Sequence, residues 1–102
     1  MLELKPNCEL CDVDLAADSP AARICSYECT FCSNCVDQVL FNVCPNCGGG
    51  FSGRPIRPAK DYRKGVSRIY QTPSTKRIRT KLNLDEINEF SETLSKTNPI
   101  DR

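Results

Sequence analysis

All eight cysteines of this 102-residue chain lie between Cys8 and Cys47, in four close pairs. The pairs are Cys8-x-x-Cys11, Cys25-x-x-x-Cys29, Cys32-x-x-Cys35 and Cys44-x-x-Cys47. Leu, Ile, Val and Phe together number 23 in the whole chain, enough for one small core at most. Domains this poor in core formers are held by disulfides or by metal. The N-terminal Met1-Leu2-Glu3-Leu4-Lys5-Pro6 has no basic run followed by an apolar stretch, so no export signal is visible. No apolar run approaches a membrane span. The expected compartment is therefore the cytoplasm, where thiols stay reduced and metal is the better reading.

The spacing points the same way. Two residues between cysteines let both sulfurs turn toward one ion at about 2.3 Å and leave backbone N–H groups free to donate to the thiolates. In Cys44-Pro45-Asn46-Cys47-Gly48-Gly49, Pro45 fixes one backbone angle and Gly48 can take a positive φ. Two four-thiolate zinc sites are expected, with disulfides and iron–sulfur ligation as the competing uses. Sites of that kind are closed. With every cysteine a ligand and no histidine anywhere, neither nucleophile nor imidazole base remains, so no catalytic residue is expected.

Four pairs combine in three ways. Placing Cys25, Cys29, Cys32 and Cys35 on one ion leaves only two residues to join the pairs, a cramped turn. Sequential and interleaved pairings both remain open on spacing alone. Further along, Ala22–Tyr27 and Glu28–Phe31 read as two short strands with Ile24 and Phe31 inward. Val36, Val39, Leu40 and Val43 recur at i, i+3, i+4 and i+7, the core face of a helix of about two turns that Ser33 or Asn34 can cap.

The ligand order resembles a RING finger. The run Cys29-Thr30-Phe31-Cys32-Ser33-Asn34-Cys35-Val36 is similar to the RING sequence of His, Thr, Phe, Cys, two residues, Cys and Ile, with Cys29 in place of the His. Cys44-Pro45-Asn46-Cys47 is similar to its last knuckle. Residues 1–59 also resemble a family of small bacterial proteins, domain of unknown function 1272, through Pro6-Asn7-Cys8, Ala22-Arg23-Ile24-Cys25, Val43-Cys44-Pro45-Asn46-Cys47-Gly48-Gly49 and Arg54-Pro55-Ile56-Arg57-Pro58-Ala59.

The RING resemblance implies the interleaved pairing. Cys8, Cys11, Cys32 and Cys35 would hold one zinc, and Cys25, Cys29, Cys44 and Cys47 the other. The implied fold is a small zinc-stabilised α+β domain, a RING-like cross-brace with one short hairpin and one short helix. Leu10, Leu40 and Pro45 match the places where RING ligases dock a ubiquitin-conjugating enzyme. Gly48 stands where active ligases often carry a basic residue, and a bacterial source implies no native ubiquitin pathway. Ligase activity is thus the least favoured use of the module.

Charge is divided along the chain. Residues 1–50 hold Lys5 and Arg23 against Glu3, Glu9, Asp12, Asp14, Asp18, Glu28 and Asp37. Residues 54–81 hold Arg54, Arg57, Lys60, Arg63, Lys64, Arg68, Lys76, Arg77, Arg79 and Lys81 against Asp61 alone. That segment is rich in Pro, Ser and Thr without a periodic apolar pattern, and residues 52–81 read as a flexible basic linker. Arg54, Arg57, Lys60, Arg63, Lys64, Lys76, Arg77, Arg79 and Lys81, with Tyr62 and Tyr70 between them, suit nucleic acid. The same charge also suits a strap laid over the acidic module.

Leu84, Ile87, Phe90 and Leu94 then mark an amphipathic helix within 82–98, opened by Asn83 and Glu86 as a capping box and stopped at Asn98-Pro99. The expected organisation is a zinc module over 1–51, a basic linker over 52–81 and a helix over 82–98. The helix stripe is expected to face a protein partner or a second copy. The residues thus point to a non-catalytic, zinc-binding adaptor, with a nucleic-acid accessory protein as the alternative.

Overall fold

Ala22–Ile24 (β1) and Thr30–Cys32 (β2) pair antiparallel in the computed structural model, which describes residues 1–102, with Arg23 opposite Phe31. Ser52–Gly53 (β3) adds to the other edge of β1, so the sheet order is β2-β1-β3. The sequence pattern anticipates only the hairpin, because a two-residue strand has no alternation to read. Phe31 is fully buried and meets Phe51 edge to face, with ring centroids 5.5 Å apart. Ile24 is only half-buried.

The helix after β2 opens with one α-turn, Ser33–Cys35 (α1), and continues as a π-helix, Val36–Leu40. Its cap is the Cys32 sulfur, which accepts from the Cys35 N–H at 3.4 Å, rather than Ser33 or Asn34. Val36, Leu40 and Val43 are buried and Val39 is half-buried. Phe41 and Asn42 both adopt left-handed backbone, at φ 48° and 60°, which ends the helix and turns the chain toward the last cysteine pair.

The main core cluster has eleven buried residues, and five of them are cysteines. Leu15, Ala22, Phe31, Val36, Leu40 and Ile87 supply the rest. Without the cysteine clusters the apolar remainder is too small to carry the domain.

Residues 54–81 form no helix or strand, yet they are tied down along their length. Arg54 is buried and donates through Nη1 to the Lys5 carbonyl at 2.8 Å and through Nη2 to the Ala16 carbonyl at 3.0 Å. Arg57 donates to the carbonyls of Gln71 and Leu2. Farther on, the Ser74 and Thr80 N–H groups donate to the carbonyls of Leu4 and Glu9, and Asn7 pairs through its side chain with the backbone of Ile78. Arg77 forks onto Asp12 and Asp14 at 2.9 and 2.6 Å. The expected flexible linker is therefore a strap. The physical reason is the charge division itself: an arginine-rich segment finds carbonyls and carboxylates on the acidic module it follows.

Leu84–Leu94 (α2) starts at Asn83, whose Oδ1 accepts from the Glu86 N–H at 2.8 Å. It packs on the π-helix. Ile87 is 1% exposed and belongs to the core, and the buried Ser91 Oγ donates to the Leu40 carbonyl at 2.8 Å. Leu94 and Phe90 lie over Gly48, where a Cβ would stand 3.0 Å from Leu94 Cδ1 and 3.4 Å from Phe90 Cζ. Gly48 also has φ +80°, so both its conformation and the approach of α2 call for glycine. Of the stripe expected to face another chain, Ile87 is buried and Leu94 half-buried inside this one, while Leu84 and Phe90 stay exposed. The small core has room for one more aliphatic side chain, and Ile87 fills it. No helix is long and apolar enough to cross a membrane.

Candidate metal centre

Tight turns and element ends position the cysteines. Cys8 and Cys11 flank a turn closed by the Cys8 N–H on the Val13 carbonyl and the Asp12 N–H on the Cys8 carbonyl, with Asp12 at φ +65°. Cys32 closes β2 and Cys35 completes the turn of α1. Cys25 follows β1. Cys44 and Cys47 lie in a tight loop where the Gly48 N–H donates to the Cys44 carbonyl and the Cys44 N–H to the Gly49 carbonyl.

These devices bring the sulfurs of Cys8, Cys11, Cys32 and Cys35 within 4.8 Å of one another. The Cys11 and Cys32 sulfurs are 3.8 Å apart, the edge of a tetrahedron whose bonds are about 2.3 Å long. Cys25, Cys44 and Cys47 form a second group within the same limit. All eight thiols are free in this structure. The first group takes its residues from both sides of Cys25, and the second from both sides of the first group's last pair. The two sulfur groups therefore alternate along the chain.

Cys29 is the exception among the expected ligands. It lies outside the second close group, with its sulfur accepting from Asn46 Nδ2 at 3.4 Å. Its backbone carbonyl accepts from the Cys25 N–H at 3.2 Å, which keeps it beside that group.

Backbone donors reach the sulfurs of both groups. The Tyr27 N–H donates to Cys25 Sγ at 3.3 Å, and the Cys35 and Gly49 N–H groups donate to Cys32 and Cys47 Sγ at 3.4 Å. Their effect on protonation is uneven. Burial raises the Cys35 and Cys44 thiols far above the ordinary thiol range, and neighbouring sulfurs add to the rise. Burial raises Cys29 as well, against the opposing Asn46 donor. At Cys25 burial is the largest single influence and acts upward, but hydrogen bonds from the Tyr27 and Cys29 backbone and from the Cys29 and Cys44 thiols together outweigh it and the pKa falls. Ionising a whole group without a cation is therefore unfavourable, and a cation that binds it must displace protons.

The donor set fits a soft or borderline divalent ion: four clustered sulfurs in the first group and three, with Cys29 adjacent, in the second. Four sulfurs fill the coordination sphere of a tetrahedral ion.

A family model described as a protein of unknown function (DUF1272) matches residues 1–57, which hold all eight cysteines and the buried Arg54. The chain belongs to the DUF1272 family. A relative from Rhizobium meliloti (strain 1021), with the printed name uncharacterized protein R02474, is 55% identical over 72 residues. That match covers 68% of this chain and 86% of the relative. No solved structure matches the chain.

Several residues that support the DUF1272 site carry no signal in a single sequence. Glu9 is buried in the first cysteine turn, accepts the Thr30 N–H and pairs with Lys5 at 3.3 Å, joining that turn to β2. Asn7 is fully buried and spends its amide on the Cys8 and Ile78 carbonyls and the Asp12 carboxylate. Asn46, in sequence only a residue between two ligands, donates to Cys29. Each acts through a partner distant in sequence, besides the short hops to Lys5, Cys8 and Asp12, so spacing does not reveal it.

Proposed function

We propose that the protein is a zinc-stabilised, non-catalytic binding module. Each zinc would sit in four thiolates: Cys8, Cys11, Cys32 and Cys35 in one site, and Cys25, Cys44, Cys47 and Cys29 in the other. The observation that carries this reading is the pair of alternating sulfur groups at the centre of a core otherwise too small to hold. Zinc fits because four thiolates at these separations match its tetrahedral preference, and because a d¹⁰ ion imposes no other geometry. The metal would act as a cross-link, and chemistry at the ion is not part of the role.

As a RING-like adaptor the module would differ from ligases of that fold. Leu40 is fully buried, Pro45 is buried, and α2 lies over the same face. Two of the three positions that dock a conjugating enzyme in such ligases, Leu40 and Pro45, are thus buried within the chain, while Leu10 is half-buried. A surface for partners has to be sought elsewhere.

Cobalt substitution tests the site assignment through its thiolate charge-transfer bands. Cys8→Ser and Cys32→Ser should each remove one site, and the double variant should remove no more than either. Cys25→Ser and Cys44→Ser should remove the other site, and Cys29→Ser should weaken that same one. If Cys8→Ser and Cys25→Ser abolish the same site, the assignment is wrong.

A further inference from the structure

We propose that the loop 58–71 is a binding site for single-stranded nucleic acid. The proposal deepens the binding-module reading and rests on it for the rigid platform that carries the loop. Of the basic side chains between 54 and 81, Arg54, Arg57, Arg77 and Arg79 are spent on the protein's own carbonyls and carboxylates. Lys60, Arg63 and Lys64 are exposed and pair with no carboxylate. Beside them stand Tyr62 and Tyr70, 74% and 63% exposed, with Ile69 also in solvent. Phosphate-seeking cations interleaved with open aromatic faces are what an unpaired strand requires, since its bases can stack on tyrosine while its backbone meets the charge.

The loop is built to hold these side chains out. Gln71 braces it from within. Its Nε2 donates to the Gly65 carbonyl at 2.9 Å, and its Oε1 accepts from the N–H of the fully buried Ser67. The Arg68 N–H closes the base onto the Pro58 carbonyl at 2.8 Å, and Arg57 Nη1 holds the Gln71 carbonyl at 2.7 Å. Gly65, at φ +75°, makes the turn. The loop's only acid, Asp61, turns its carboxylate to the Gly65 N–H. An ordered loop loses little freedom when a ligand binds, which favours real affinity over a diffuse ionic cloud.

Charge selects the form of the ligand. Residues 1–50 are acidic, as is the tail from 82, so the loop is a cationic pole beside two acidic regions. A flexible single strand can meet the pole and bend away from the body. A stiff duplex cannot, and its bases are already stacked on each other.

The test is fluorescence anisotropy of the metal-loaded full chain with a short labelled single-stranded oligonucleotide and with the matching duplex. Three phosphate contacts give a salt slope near −2, so affinity should fall about twentyfold between about 50 and 200 mM salt. Tyr62→Ala and Tyr70→Ala should each weaken binding roughly tenfold. Both side chains are exposed, so folding should be intact. The double variant Lys60→Ala/Lys64→Ala should shrink the slope by about 1.4. Lys81→Ala, outside the loop, should leave affinity unchanged. Absence of binding at low salt, binding indifferent to the loop variants, or duplex bound as tightly as single strand would each overturn the proposal. Metal analysis of the same samples separates the two readings: two ions per chain without binding refutes the loop site alone, whereas missing metal with oxidised cysteines refutes the module.

Discussion

Residues 8–47 and residues 54–102 are held by different means. The first stretch folds around two groups of sulfurs, each gathered by tight turns whose geometry is local. The second has no such anchor and is assembled by single long-range attachments: Arg54 into the body, Asn7 against Ile78, Arg77 onto Asp12 and Asp14, Ile87 into the core. The difference teaches that the cysteine module is both a structure and a template. Its exposed carbonyls, its acidic turns and a groove floored by Gly48 fix where the rest of the chain lies.

Removing the metal should break the comparison most severely. Each structural zinc contributes on the order of 10 kcal/mol in small domains, more than the net stability of most of them. Chelation should therefore unfold residues 8–47 and release the strap and α2 with them, because their template is gone. Amide NMR dispersion surviving full metal removal would contradict this. The second largest effect is expected at Ile87. Ile87→Ala empties a site in the shared core and should destabilise the whole protein by about 2–5 kcal/mol, with the apparent mass unchanged. Stability untouched but assembly altered would mean that α2 serves an interface between chains.

Arg54 sharpens the comparison further. Its guanidinium is buried without a carboxylate, and burial lowers its pKa. Arg54→Ala leaves two carbonyls without their charged donor and should lower stability by roughly 2–4 kcal/mol. Hydrogen exchange should speed up first in residues 54–60, with both metal sites retained. Arg77→Ala is the mildest case. Its ion pairs are solvent-exposed, so exchange should quicken around Ile78 with little change in global stability. A global loss as large as that of Arg54→Ala would mean that the strap is part of the folding core.

The same division explains what could be read from sequence. Cysteine spacing is a local code, so the four pairs and the knuckle glycine at Gly48 were legible, and resemblance supplied the alternating order. Asn83 and Glu86 gave the start of α2 because a helix cap is also local. The fate of the basic segment was not legible. An arginine that binds carbonyls looks the same in sequence as one that awaits phosphate, and only the fold sorts Arg54 from Arg63. The stripe of α2 was visible, but its partner was not, since a groove floored by a glycine leaves no apolar signature. Cys29 lies just outside the close group of Cys25, Cys44 and Cys47, and its sulfur accepts from the Asn46 side chain, a contact that spacing rules do not contain.

The most direct measurement of the central claim is metal stoichiometry on the intact chain, by native mass spectrometry alongside elemental analysis. The account predicts two zinc ions per chain and eight cysteines free of disulfide, with Cys29 protected from alkylation only while the metal is bound. One ion or none, or cysteines paired as disulfides, would contradict it.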